Sequence, residues 1–340
     1  MLGSLYRGTL SLYLAAAGIW LVLWKTVGDR NGLLYLINSL SFWILGGAWL
    51  AGWLRFGRTS PWRALLCGEV VGLILLRHYH WMLWRKLSRP HEAPPEPRRP
   101  EIRVLTANLL KKNRNLANMR RRLSEQAVDV ALFQEVNAGA LAGLFHPLQE
   151  EYPYQYWMAH PGSQLGLGVM SRHPFVLEHR RSLRIGGPFY LRMRVQVDSR
   201  SLLLYNVHLI SPLFGSPPVR LNPALYIRNY QVQCLLADAQ AQSGPVLLMG
   251  DWNATEGSDV YKQVSAVFQD GWATAGLGPG WTWPHNLKPY CNLQARPVLR
   301  LDHSFCSHDL EVLAAQVLPV KGGSDHSPLL LTLRLPEDRD

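Results

Sequence analysis

The chain has 340 residues, more than one ordinary domain requires, and a net charge of +11. Residues 1–100 hold 12 Lys/Arg against 4 Asp/Glu (net +8), and the other 240 hold 23 against 20 (net +3), so the basicity flanks apolar N-terminal segments and is a poor nucleic-acid signature. Four cysteines (Cys67, Cys234, Cys291, Cys306) have neither CxxC spacing nor the density of a disulfide framework; a Cys291–Cys306 pairing stays open, and the compartment is not defined.

In chain order, Gly8–Trp24 is uncharged and mostly apolar, at the short end of what spans a bilayer. Leu33–Leu54 is a longer uncharged run whose helix would reach about 33 Å. Neither is followed by a small-residue cleavage site and a polar mature start, which argues against a signal peptide. Ser60-Pro61 makes a helix start for a third segment, near 62–84, that is apolar except for Glu69 and ends in Arg77, His78, His80, Trp81, Trp84 and Arg85. It either crosses the membrane or lies in its plane. Residues 1–87 therefore predict a membrane region of two or three transmembrane helices, a multi-pass cell-membrane protein attached to the lipid bilayer. Three spans with a cytoplasmic N-terminus place four basic residues inside and five outside. Two spans favour a cytoplasmic catalytic part, so the side remains open.

Ser88–Pro100 (SRPHEAPPEPRRP) reads as a semi-rigid, extended linker. A second domain, 101–336, follows. Strands are predicted at Ile102–Ala107, Asp129–Phe133, Tyr154–Met158, Leu167–Ser171, Phe175–Glu178, Tyr190–Val197, Leu202–Val207, Val246–Met249, Leu299–Phe305, Glu311–Val317 and Pro328–Leu335. Helices are predicted at Leu116–Gln126, Asn137–Gln149, Asn222–Gln240 and Val260–Val267. Runs of adjacent strands mixed with helices predict an α/β fold, a four-layer α/β sandwich of two packed mixed β-sheets flanked by helices.

Several of these strands end in a polar island: Asn108, Glu135, Asn206 with His208, Asp251 with Asn253, Asp302, and Asp325 with His326. Buried carboxylates need a metal, a cation or one another. Oxygen donors without cysteine suit Mg²⁺ or Mn²⁺. A histidine beside a carboxylate serves as an acid–base or as a cation for a phosphoryl group. Metal, oriented water and in-line displacement together make phosphoester hydrolysis the natural chemistry of the set.

The segments TANLL (106–110), FQEV (133–136), GVMSR (168–172), YNVHL (205–209), GDWNA (250–254), RLDHSF (300–305) and SDHSPL (324–329), in this order, resemble the motif set of the endonuclease/exonuclease/phosphatase superfamily. That DNase-I-like fold is shared by apurinic endonucleases, inositol polyphosphate 5-phosphatases and neutral sphingomyelinases. The resemblance runs from about Glu101 to Leu335. It implies Glu135 as principal ligand of Mg²⁺ (or Mn²⁺), with Asn108 and Asp325 beside the metal. It implies Asp251 as the residue that orients or deprotonates water, and Asn253 as the amide that positions water and phosphate. His326 would contact the scissile phosphate, with Asp302 orienting its ring. His208 would contact phosphate or leaving group, with Asn206 beside it. Trp252 and His303 occupy variable motif positions.

Substrate signals are thinner. Lys111, Lys112 and Arg114 follow Asn108, Arg120–Arg122 lie on the next helix, and Arg172 closes a strand; any of these can reach phosphates. Trp272, Trp281 and Trp283 occupy a Gly/Pro-rich stretch that can stack a ring, enter lipid or simply pack. The expected partner is a phosphoester substrate, a lipid headgroup or nucleic acid, with no obligate protein partner. Nuclease action is the alternative within the fold. A non-catalytic membrane-tethered binding module is the alternative from another class, opposed by intact Glu135, Asp251 and His326.

Overall fold

The computed structural model describes residues 2–57, 59–79, 100–113, 115–158, 166–183, 187–212, 221–285, 296–319 and 323–337. Arg114, Cys291 and nearly all of the expected linker lie outside them, and Cys306 is a free, buried thiol.

Two six-stranded mixed sheets form the centre. The first has the order β11 (Glu311–Val317), β12 (Leu329–Arg334), β1 (Glu101–Asn108), β2 (Val130–Gln134), β4 (Leu167–Ser171), β3 (Tyr154–Met158). The second has the order β5 (Phe175–Leu183), β6 (Gly187–Val197), β7 (Arg200–His208), β8 (Val246–Asp251), β10 (Asp302–Cys306), β9 (Gln269–Asp270). The period-2 alternation of each strand builds the layers. Ile102, Val104, Val130 and Leu132 meet Leu202, Leu204, Leu247 and Met249 in one core between the sheets. The opposite registers face outward: Leu105, Ala131 and Phe133 pack under α5 (Ala117–Glu125) and the short helical turns of 138–148. Leu203, Tyr205 and Leu248 pack under α6 (Leu221–Gln240) and α7 (Asp259–Ser265). The four-layer expectation holds for this part of the chain. Only α8 (Gly271–Ala275) and two-residue β9 lack a sequence counterpart, both too short to show a period.

Topology gathers the polar islands. β1 and β2 are parallel, as are β7 and β8, so Asn108, Gln134, His208 and Asp251 stand at one end of the two sheets. β10 and β12 run antiparallel to their neighbours, so Asp302 pairs opposite Asp251, and the 324–327 turn enters β12 at that same end. Gly250 makes the approach possible: its φ is 156°, and a Cβ there would stand 1.9 Å from the Val207 carbonyl oxygen.

Four helices precede the sandwich: α1 (Leu2–Thr26), α2 (Gly32–Ser39), α3 (Ser41–Phe56) and α4 (Pro61–Tyr79). They pack closely, a Cβ on Gly52 falling 3.0 Å from Cys67 Cβ and one on Gly47 2.5 Å from Tyr13 Oη. Their outer faces stay apolar: Leu5, Leu12, Ile19, Val22, Leu50, Trp62, Leu66 and Leu73 are each more than half exposed.

Among the described residues one helix, Leu5–Thr26, is long and apolar enough to cross a membrane, so the expectation of two or three such helices, and of a multi-pass protein, is corrected. The second run breaks at Leu40, where α2 and α3 are bent by 65°. Eight residues of α2 reach about 12 Å and sixteen of α3 about 24 Å, short of the roughly 30 Å hydrocarbon thickness. Asn38 explains the break: fully buried, it donates Nδ2–H to the Gly28 carbonyl and to Asp29 Oδ1 and accepts from Trp20 Nε1. Satisfying that amide inside protein ties α2 back onto α1 and the turn that follows it.

Candidate active site

Asn108, His208, Asp251 and Asp302 stand on the inner register of their strands, where the apolar core gives way to polar side chains, and Glu135 directly follows β2. Asn108 stands at the centre. Its Nδ2 donates to Glu135 Oε1 (3.2 Å) and Asp251 Oδ2 (3.0 Å), and its Oδ1 accepts from the Leu110 amide (2.9 Å). Glu135 has a left-handed backbone (φ 57°), and its Oε2 accepts from the Lys111 amide at 2.8 Å. Asn253 is left-handed too (φ 49°); its amide N donates to Asp251 Oδ1 (2.9 Å), and its Nδ2 donates to the Leu209 carbonyl (3.0 Å) and Asp251 Oδ2 (3.3 Å). Non-glycine residues at positive φ cost energy that surrounding contacts must offset, and they gather at functional sites.

Two imidazoles face the Asp251 carboxylate. His208 Nε2 and His326 Nε2 each lie 3.8 Å from Asp251 Oδ2, beyond hydrogen-bond reach, so each is available to a third partner. His326 donates Nδ1–H to Asp302 Oδ2 at 2.8 Å. Burial opposes its charge, but Asp302, Asp251 and Asp325 outweigh burial and raise its pKa to about 10, so the ring is an imidazolium at neutral pH. The turn that carries it is tied down: Ser324 Oγ donates to the Asn108 carbonyl (2.7 Å) and accepts from the His326 amide (3.1 Å). Asp325 Oδ2 accepts from Trp283 Nε1 at 3.2 Å.

The donor set fits a hard divalent cation. Glu135, Asp251, Asp302 and Asp325 bring four carboxylates to one end of the sheets, and Asp302 Oδ1 is buried with no hydrogen-bond partner among the described residues. One amide bridging two carboxylates leaves negative charge that a cation offsets. Ligand atoms of Asp251, Asp302 and His326 also lie within 4.8 Å of one another. His326 Nδ1 is already engaged by Asp302, so this trio reads as an acid–base group beside the Glu135 position.

The structure brings together Asn108, Glu135, His208, Asp251, Asn253, Asp302, Asp325 and His326. Lys111 and Lys112 form a turn at the rim, the first half-buried and the second exposed. Two expected substrate residues are elsewhere. Asn206 is fully buried and joins the sheets: its Oδ1 accepts from Gln134 Nε2 (2.7 Å), and its Nδ2 donates to the Phe133 and Gly168 carbonyls (3.1 and 2.9 Å). Arg172 follows the end of β4 that pairs with Val130, four positions or roughly 13 Å from the Gln134 end, and pairs with Glu151 at 2.5 Å. Arg121 and Arg122 pair with Glu125 on the surface. Trp272 is core, and Trp281 stacks on Trp43 with centroids 4.9 Å apart.

Residues not read from sequence also serve the site. Arg300, fully buried, binds Glu256 at 2.7 Å and Asp270 at 2.6 Å, and anchors the segment entering Asp302. Thr282 Oγ1 accepts from the Leu301 and Asp302 amides (3.2 and 3.3 Å). An arginine in a motif and an acid 44 positions earlier carry no local period linking them.

The sequence matches the Endonuclease/Exonuclease/phosphatase family over residues 105–326, more than half of the chain, and the protein belongs to that family. Its members are generally phosphoester hydrolases and usually use divalent metals. No curated protein sequence matches. Among solved structures, an endonuclease/exonuclease/phosphatase from Beutenbergia cavernae is similar at 22% identity and TM-score 0.54, over 70% of this chain and 72% of that one. A family protein from Bacteroides thetaiotaomicron is similar at 14% identity and TM-score 0.52, over 71% of this chain and 100% of that one. D. rerio TDP2, solved with single strand DNA product, is similar at 18% identity and TM-score 0.52, over 69% of this chain and 99% of that one. These likenesses share the fold.

Proposed function

We propose that the protein is a membrane-anchored, Mg²⁺- or Mn²⁺-dependent phosphodiesterase or phosphatase that hydrolyses its substrate by in-line attack of water. The observation that carries this reading is the convergence of Asn108, Glu135, Asp251 and Asn253 with the Asp302–His326 pair, whose Nδ1–Oδ2 distance is 2.8 Å. Glu135 would hold the cation, with Asn108 and Asp325 beside it. Bound there, a divalent ion supplies Lewis-acid polarisation of a phosphoryl oxygen.

The chain's own groups do the rest. Asp251, its oxygens fixed by two asparagines, orients water and takes its proton. Asn253 sets water and phosphate relative to that carboxylate. His326, charged at neutral pH, offers Nε2–H to the phosphoryl group as negative charge develops, and Asp302 holds the ring. His208 faces the same space for the phosphate or the leaving group.

The anchoring α1 and the outward apolar faces of α3 and α4 support a lipid phosphoester as substrate. Nuclease action is a second reading, favoured by the likeness to a structure solved with single strand DNA product. The test uses full-length protein in detergent micelles with bis-(p-nitrophenyl) phosphate and Mg²⁺ or Mn²⁺. Glu135→Ala, Asp251→Asn and His326→Ala are each expected to lower kcat at least roughly 10²-fold. Full activity in the variants would reject the site. Phosphoinositide or sphingomyelin vesicles, plasmid DNA and single-stranded RNA separate the substrates; plasmid nicking without lipid turnover would reject the lipid preference.

A further inference from the structure

Asn253 is held from outside the two sheets. Its carbonyl oxygen accepts two donors, Tyr35 Oη–H at 2.8 Å from α2 and Arg228 Nη1–H at 2.6 Å from α6. Arg228 Nη1 also donates to Tyr35 Oη at 2.9 Å, and its guanidinium carbon lies 4.3 Å from the centroid of the Tyr35 ring. Both side chains are buried, Tyr35 at 3% and Arg228 at 1% exposure. The three groups form a closed triangle on one peptide oxygen.

That oxygen belongs to a residue in the left-handed region. Such a conformation persists only where contacts over-determine it. The Asn253 side chain is directed by its backbone, and two donors on the carbonyl fix the following peptide plane. Further contacts of the helices grip the same loop. Trp24 Nε1 donates to the Gly257 carbonyl at 2.7 Å. Asp29 and Asp259 are reciprocal, each backbone N–H donating to the other's Oδ2 at 2.7 Å. Gly257 has no room for a side chain, since a Cβ would stand 2.2 Å from the Asn38 carbonyl oxygen.

We propose that Tyr35 and Arg228 are positioning residues of the hydrolytic site, acting on Asn253 through its carbonyl, so that the N-terminal helices complete the site as well as anchor it. This rests on the phosphoester-hydrolase reading above. Neither residue reaches the reacting groups; their effect passes through one backbone conformation.

The test compares full-length wild type, Tyr35→Phe and Trp43→Phe in detergent micelles with bis-(p-nitrophenyl) phosphate and Mn²⁺, recording kcat, KM and Tm. Tyr35→Phe removes one hydroxyl and keeps the ring under Arg228. Trp43→Phe removes a bond of the same helical module to the Val298 carbonyl (3.1 Å), away from Asn253. Tyr35→Phe is expected to lower kcat roughly 5- to 20-fold with KM within about twofold. Trp43→Phe is expected to leave kcat within about twofold even where its Tm falls as much. An unchanged kcat in Tyr35→Phe, or an equal fall in both variants, would overturn the proposal while leaving the hydrolase reading intact. A wild type inactive on every phosphoester would overturn both.

Discussion

At the scale of single residues, neighbours of one strand have opposite electrostatic fates. Asp302 faces the site, while His303 points to the outer layer, where its Nε2 donates to the Ala254 carbonyl at 2.7 Å and its ring packs beside Tyr261 and Phe305. Burial, then the Arg300 charge, lower its pKa from 6.5 to about 3. The unfolded chain therefore takes up a proton below pH 6.5 that the folded chain refuses. The stability this group contributes is present above that pH and is lost as pH falls toward 3. Between pH 7 and pH 5 the loss is about 2 kcal/mol. Thermal unfolding across that window should show a steeper fall for wild type than for His303→Asn. Parallel curves would contradict the assignment. Glu135, Leu110 and Asn253, all left-handed, show the other residue-scale pattern: three of the five positive-φ non-glycine residues among the described residues stand on loops that carry chemistry, the other two, Ala127 and Asp198, on turns elsewhere.

At the scale of elements, the period-2 pattern made the site legible. Asn108, His208 and Asp251 continue the inner-facing register of their strands, so a polar residue there had to face its counterparts across the core. The same pattern misled for Asn206, which lies two positions short of the strand end and is sealed between the sheets. As a strut to Gln134 and two carbonyls, Asn206→Leu should cost on the order of 3 kcal/mol and lower Tm by roughly 5–10 °C, with kcat of the folded protein changed less than threefold. A hundredfold loss of kcat at unchanged Tm would return Asn206 to the substrate site. Arg172 failed for a different reason: alternation fixes which face a side chain takes but not which way the strand runs, and β4 is antiparallel to β2.

At the scale of the molecule, an unbroken apolar run concealed a bend. Leu33–Leu54 has the length and hydropathy of a span, and the partners of Asn38 within it, at Gly28 and Asp29, are visible only in three dimensions. Tyr35 was hidden likewise, because its acceptor lies 218 positions later. With α1 as the anchor, the protein should sediment with membranes and remain there after alkaline carbonate. Release into the supernatant would show the apolar faces to be covered by something other than lipid.

The Trp24 bond to Gly257 carries a consequence for how the protein finds its substrate. Trp24 lies in the last turn of α1, and Gly257 lies six residues beyond Asp251. With α1 inserted in a bilayer, the hydrolytic cleft cannot roam on a leash. It is held at a set height and tilt over the lipid surface. For a substrate carried in that membrane, encounter then becomes a two-dimensional problem governed by the number of molecules per unit area. A membrane-borne phosphoester beyond that fixed reach stays untouched, whereas a soluble one arrives by its own diffusion.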